Sequence, residues 1–272
     1  MKKVGIIGVE SKHAEFFGKL INVDKAYPGF FVEAIAPIDK ADRLPYVLER
    51  CPIKKICDSA EELIDSCDCV LLITRLPQTH YALAMKCLDA GKPVFVDKPF
   101  TASVGEAKEL LEVSLKKGLT LLGGSSLCFD PSIKLNLAQI KSSPLTHFKF
   151  TADPESPFGG YAFYLSHLTD LCTSIYGETH LVSASRKGNS ISSLVRHASG
   201  LALLSTSLEP HECEIIYEQQ GKSSLLTLSD TNCYQNGLNA FFAAVNGAPS
   251  SNEYLSQSVA LIGEITNFFL NQ

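Results

Sequence analysis

The chain has 272 residues, a formal net charge of -5, and 19% charged against 45% hydrophobic residues. Such a length suits two modest domains with real cores, and the composition excludes a disordered acidic chain and any basic tract for nucleic acid. No apolar run reaches membrane-spanning length, and the first one stops at Glu10 and Lys12, so a cytoplasmic protein with no membrane partner is expected.

The nine cysteines are odd in number and scattered, which suits reduced thiols better than a disulfide framework. Cys51, Cys57, Cys67 and Cys69 lie close in sequence but lack paired C-x-x-C spacing, so no metal site is expected.

Residues 3–8 (KVGIIG) read as a buried strand, followed by a helix that Ser11 can cap and whose core face would carry Phe16, Phe17, Leu20 and Ile21. This is the opening of a Rossmann fold. Its dinucleotide fingerprint would be G-x-G-x-x-G, for a tight turn and close backbone approach to a pyrophosphate. The chain instead reads Gly8, Val9, Glu10, Ser11, Lys12, His13. Glu10 adds a side chain and a negative charge at the second glycine position and His13 replaces the third, while Ser11, Lys12 or His13 can still reach a phosphate. The second strand, residues 30–36, ends at Pro37, where an NAD-binding domain usually places an acid for the ribose. Asp39 stands two residues on and suits NAD; Lys40 and Arg43 suit the 2′-phosphate of NADP.

A third strand at residues 54–57, a helix capped by Asp58 or Ser59, and the buried strand 68–74 (DCVLLIT) continue the alternation. A helix over 81–90 ends at Gly91, and the strand in 93–100 (PVFVDKPF) stops at Asp97, Lys98 and Pro99, because proline cannot continue a ladder. Lys98 therefore sits at the C-terminal rim of a parallel sheet, where ligands of open α/β folds bind. A helix over 103–117 and a strand over 119–122 complete this half.

The order of a strand ending in Thr74, then Pro77 and His80, then AGKPVFVDKPF resembles the glucose-fructose oxidoreductase and inositol dehydrogenase family, Gfo/Idh/MocA. There the second strand ends in Glu-Lys-Pro; here Asp97 is the shorter acid. The resemblance implies that Thr74, Leu76 and His80 border the nicotinamide half of NAD or NADP, with Asp97 and Lys98 beside them. In the segment GGSSLCFDPSIK, Cys128 holds the approximate place of a family arginine.

From about residue 144 short alternating strands predict a mostly antiparallel sheet, with a hairpin turn at Gln220 and Gly221 and helices over 159–176, 238–245 and 254–270. The expected fold is thus α/β plus α+β: a Rossmann dinucleotide-binding domain over 1–124 and an α+β substrate-binding and oligomerisation domain over 125–272. A sheet with helices on one face leaves the other for a partner, which predicts a homodimer or homotetramer. His167 and Asp170 lie three apart and share a helix face, an imidazole with a carboxylate to orient it. The family's second domain carries this His-x-x-Asp before a glycine, here Gly177. Many members add an aspartate four residues before the histidine, where this chain has Phe163.

What the resemblance implies is an NAD(P)-dependent oxidoreductase acting on a hydroxyl-bearing carbon of a sugar, cyclitol or similar polyol. Lys98 and His167 would do the chemistry, with Asp170 as orienter, in a cleft between the domains. Glu10, Pro37 and Phe163 depart from the pattern and keep open a redox-inactive relative acting as a ligand-binding or regulatory protein.

Overall fold

A computed structural model describes residues 1–209 and 212–271. They divide into two units, Met1–Gly123 with Leu238–Asn252, and Gly124–Gly237 with the chain from Glu253 onward.

In the first unit the apolar runs become strands β1 (Lys2–Ile7), β2 (Phe30–Ala36), β3 (Lys55–Ile56), β4 (Cys69–Leu72), β5 (Val94–Val96) and β6 (Leu121–Gly123). Helices α1 (His13–Gly18), α2 (Leu44–Arg50), α3 (Ala60–Ser66), α4 (Pro77–Asp89) and α5 (Val104–Lys117) alternate with them. All pairings are parallel in the order β3-β2-β1-β4-β5-β6. β4 and β5 are buried throughout, as continuous Val/Leu/Phe runs require when both faces of a parallel sheet are covered. Strand order reverses at β1, which pairs with both β2 and β4, so the loops leaving β1 and β4 open onto the crevice of a doubly wound sheet.

Local signals set the helix ends. Ser103 and Glu106 form a reciprocal capping box on α5, and Gly118 closes that helix in the left-handed conformation at φ 62°. Ser59 caps α3 by accepting from the Glu62 N–H at 3.1 Å. The first helix departs from expectation: it lasts six residues and passes into a π-helical turn, Lys19–Val23, and its buried face runs through Ala14, Phe17, Gly18 and Ile21. Phe16 lies off that face and is exposed, while Glu15 is buried against Arg43 and Arg50.

Leu238–Asn252 completes this unit. Phe241 packs against Phe95 of β5 with ring centroids 5.9 Å apart, and Phe242 stacks on Phe30 of β2 at 4.1 Å. Each such pair is worth about 0.5–1.5 kcal/mol beyond the area it buries.

The second unit holds α6 (Pro131–Ser142), β7 (Leu145–Thr151), α7 (Tyr161–Tyr176), β8 (Thr179–Lys187), β9 (Ser190–His197), β10 (Gly200–Ser207), β11 (Cys213–Gln219) and β12 (Lys222–Leu228). α8 (Asp230–Val245) leaves it, and α9 (Tyr254–Leu270) returns to it. Its six strands run β12-β11-β7-β10-β9-β8, antiparallel except for the β7–β10 pair. Gln220 and Gly221, at φ 53° and 73°, make the hairpin turn between β11 and β12. Period-2 burial sends Phe148, Val195, Leu204 and Ile215 into a core with Leu165, Leu168 and Leu171 of α7 and Leu261 and Ile265 of α9. No helix among the described residues is long and apolar enough to cross a membrane.

Candidate active site

In the first unit the candidate residues gather at the C-terminal ends of β1, β2, β4 and β5. Gly8 leaves β1 at φ +99°, and a Cβ there would lie 2.7 Å from the Thr74 nitrogen, so only glycine lets the two strand ends meet. The loop that follows is held from β2's side. Asp39 accepts from the Val9 N–H at 2.8 Å and the Glu10 N–H at 3.1 Å. Burial pushes the Asp39 carboxyl above its usual range, against the two amides that pull it down. Glu10 turns its carboxylate to Lys40, 3.4 Å away, and Lys12 is exposed. Ser11 is buried, and its hydroxyl accepts from the His13 N–H at 3.2 Å; Lys12 stands at the cap position.

Thr74 and Thr79 share a hydroxyl contact of 2.7 Å. Since Thr79 donates to the Leu76 carbonyl, the Thr74 hydroxyl is the donor to Thr79. Leu76 is exposed just before Pro77 opens α4, and that helix begins early enough to place His80 in its first turn. His80 is fully buried, with Nε2 2.7 Å from the Thr74 carbonyl and Nδ1 2.9 Å from that of Pro99. It ties the end of β4 to the turn beyond Lys98, whose peptide bond to Pro99 is cis. Asp97 and Lys98 are both buried at the end of β5. His13 Nδ1 lies 2.6 Å from Asp97 Oδ2. Burial raises the Asp97 carboxyl, but His13 and Lys98 beside it and the Lys98 N–H outweigh that, and the net direction is down.

In the second unit α7 carries His167 and Asp170, three residues apart. Asp170 is buried and accepts from the Ser125 N–H at 2.6 Å, while its other oxygen takes the Ser258 hydroxyl. Ser125 Oγ is 2.7 Å from His167 Nδ1, so the carboxylate reaches the imidazole through Ser125. The His167 ring rests on Phe150, centroids 4.6 Å apart. Gly124, at φ +73°, makes room for this: a Cβ there would stand 2.6 Å from Asp170 Oδ2. Phe163 is buried beside Phe158 and Tyr164. Burial pushes the Cys128 thiol far above its usual range, with the Asp170 charge adding to it.

Residues 2–125 match the model of the Gfo/Idh/MocA oxidoreductases, a family with an NAD-binding Rossmann fold. Over this segment, a little under half of the chain, the protein is similar to the Gfo/Idh/MocA oxidoreductases. An uncharacterised oxidoreductase of Schizosaccharomyces pombe is 29% identical over 150 residues, which are 49% of this chain and 41% of that protein. The scyllo-inositol 2-dehydrogenase (NADP(+)) of Bacillus subtilis is 31% identical over 120 residues, 44% of this chain and 32% of its own. The chain thus spans less than half the length of these curated relatives. A probable dehydrogenase from Thermotoga maritima superposes with a TM-score of 0.80 over 99% of this chain and 97% of its own at 17% identity, a shared fold.

The cofactor class the Gfo/Idh/MocA family brings is NAD or NADP, and the donor set of the first unit fits it. Asp39 stands just past β2 with its carboxylate against the loop after β1, and the Glu10 charge, adverse to a pyrophosphate, is directed onto Lys40. Gly124, Ser125 and Ser258 escape a sequence reading. Gly-Gly-Ser before an aromatic and Asp-Pro is a weak turn signal, and nothing local marks Ser258.

Proposed function

We propose that the chain is an NAD(P)-dependent oxidoreductase that moves hydride to or from a hydroxyl-bearing carbon of a sugar, cyclitol or similar polyol. The observation that carries this reading is Lys98, an ammonium buried at the end of β5 on the rim that also holds Gly8, Thr74 and the loop gripped by Asp39. When bound, the nicotinamide supplies the hydride acceptor or donor. Lys98 hydrogen-bonds the reacting oxygen, and His167 takes or returns its proton at Nε2, the nitrogen left after Nδ1 engages Ser125. Asp170 holds Ser125 for that task.

NAD is the preferred cofactor in this reading. A 2′-phosphate would face the Asp39 carboxylate, and the cations able to offset it are engaged, Arg43 with Glu15 and Lys40 with Glu10. The Bacillus subtilis relative, by its name an NADP enzyme, differs in this respect.

The test is a thermal shift and fluorescence titration with NADH and NADPH, then a polyol screen with Lys98→Met as control. Stabilisation by NADH exceeding that by NADPH, with turnover lost in Lys98→Met, supports the reading. No binding of either at millimolar concentration overturns it and leaves a redox-inactive family relative.

The second unit is also proposed to pair with a second copy. Leu194, Leu203, His147, Ile216 and Leu225 are register partners in an unbroken row across β9, β10, β7, β11 and β12, on the face away from the core. A mostly apolar row on one sheet face suits a self-complementary dimer contact. The cysteines are thiols, largely buried, as a reducing cytosol favours.

A further inference from the structure

At the N-terminal end of the first sheet, β3 is only two residues long and pairs with Ala34 and Ile35, so it stops short of residues 30–32 of β2. The Asn22 side chain stands beside that stretch instead. Its amide donates to the Val32 carbonyl at 3.0 Å and the Pro52 carbonyl at 2.8 Å, and its Oδ1 accepts from the Val32 N–H at 2.7 Å. One side chain thus joins the π-helical turn, β2 and the loop before β3, and satisfies the Val32 edge groups that a neighbouring strand would have taken. Between these segments opens a cleft of about 870 Å³.

The walls of the cleft include Ile21, Tyr27, Phe30, Val32 and Ile53. Its charged lining is Lys25 and Lys54, and among the described residues no acid lines it. Lys25 is exposed, and Lys54 lies over the Phe31 ring, 5.3 Å from its centroid. Glu33, outside the lining, is 3.7 Å from Lys54 in a pair whose side chains are 20% and 75% exposed. A pair that solvated holds its ammonium weakly, and an incoming anion can share it. Burial pushes the Tyr27 phenol up to about 12, so the aromatic wall is neutral at physiological pH. The volume falls in the range of small-molecule sites, roughly 300–1,000 Å³. β2 has seven residues and carries the chain about 20 Å from this cleft toward the rim where Asp39 grips its loop, so the cleft is separate from the candidate active site.

We propose that this cleft is a binding site for a small aromatic carboxylate, whose ring lies among the aromatic and aliphatic walls and whose carboxylate meets Lys25 and Lys54. The apolar walls favour a ring, and two cations with no acid in the lining select an anion over its neutral counterpart. This site does not rest on the oxidoreductase reading.

The experiment titrates 2-naphthoate into the full chain labelled with ¹³C at its Ile and Val methyls, with 2-naphthalenemethanol as the neutral isostere. Resonances of Ile21 and Ile53 are assigned with Ile21→Val and Ile53→Val. The expected result is that 2-naphthoate at or below about millimolar concentration shifts the Ile21, Val32 and Ile53 methyls and leaves those of Ile7 and Ile73, at the ends of β1 and β4, in place. The neutral isostere should bind about fivefold more weakly, and the Lys25→Gln, Lys54→Gln double variant should lose the same factor. Ile53→Trp, which fills the cleft, should abolish the Ile21 shift.

No shift at millimolar 2-naphthoate overturns the proposal, as do shifts at Ile7 and Ile73 in place of the cleft methyls. Equal binding of the isostere, or an unchanged affinity in the double lysine variant, overturns the choice of an anion. Methyl shifts in the cleft that follow protein concentration without ligand would show a second copy covering it, and also overturn the proposal. If Ile53→Trp does not fold, the double lysine variant decides, since both of its substitutions fall on exposed side chains.

Discussion

Asp39 grips the loop after β1 at its first step, accepting the Val9 N–H at 2.8 Å. With the Glu10 N–H on its second oxygen, this one carboxylate does for the loop what glycines and a bound phosphate do in the fingerprint version. Asp39→Ala should lower stability by about 1–3 kcal/mol, because two amides lose their acceptor. It should also weaken NADH binding more than NADPH binding. Urea denaturation and paired fluorescence titrations measure the two effects; equal weakening of both cofactors would count against an Asp39–ribose contact.

Gly124 is poorly able to accept a side chain. Alanine there combines a left-handed backbone with a Cβ 2.6 Å from Asp170 Oδ2. Gly124→Ala should cost on the order of 2 kcal/mol or more and loosen Ser125 from Asp170. Thermal melting reads the first effect, and loss of turnover exceeding the loss of folded protein reads the second.

Ser125→Ala separates orientation from stability. It removes the Oγ contact to His167 Nδ1 and leaves the Ser125 N–H on Asp170. The expected cost in stability is about 1 kcal/mol, whereas kcat should fall on the order of tenfold to a hundredfold, with the pH profile displaced. An unchanged kcat would remove His167 or its orientation from the mechanism.

Leu203 lies in the middle of the apolar row on the open face of the second sheet. Leu203→Arg should convert a dimer to monomer with little change in the melting of the subunit. Light scattering at micromolar concentration decides, and a wild-type monomer there ends the pairing proposal.

Acid should weaken the second unit through two histidines. Burial lowers His147, with Lys149 adding to it, and burial likewise lowers His197, which stacks on Tyr176 at 3.7 Å. Their folded values lie below the unfolded value of about 6.5, so the unfolded chain binds protons first. The stability they contribute is complete above that pH and is lost as pH falls through the folded values. Urea midpoints between pH 8 and pH 5 should fall, and less steeply in a His147→Leu, His197→Phe variant.

Sequence patterns revealed the framework where local physics governs it. Residues 30–36 read as a strand because a continuous apolar run bounded by turn residues has few other fates, and β2 has those limits. Gly118 and Gly221 punctuate as expected because their conformations are local. β8 went unread: it is an edge strand, mostly exposed, with little alternation to mark it. Phe16 points outward because the buried face runs through Ala14, Phe17, Gly18 and Ile21, a helical spacing that leaves position 16 to the side. The site was legible only as residue types. That Asp170 reaches His167 through Ser125, or that His13 meets Asp97, depends on contacts between distant segments that no spacing rule encodes.

The first unit borrows its last piece from late in the chain. Phe241 and Phe242 seal Phe95 and Phe30, Lys2 Nζ bonds the Val245 carbonyl at 3.0 Å, and Asn252 bonds that of Leu121 at 2.7 Å. During synthesis, then, the dinucleotide half cannot finish when residue 123 leaves the ribosome. It waits, with aromatic faces of β2 and β5 uncovered, until residue 252 has emerged. A gene fragment ending at residue 124 leaves those faces bare and should yield protein that aggregates where the full chain does not.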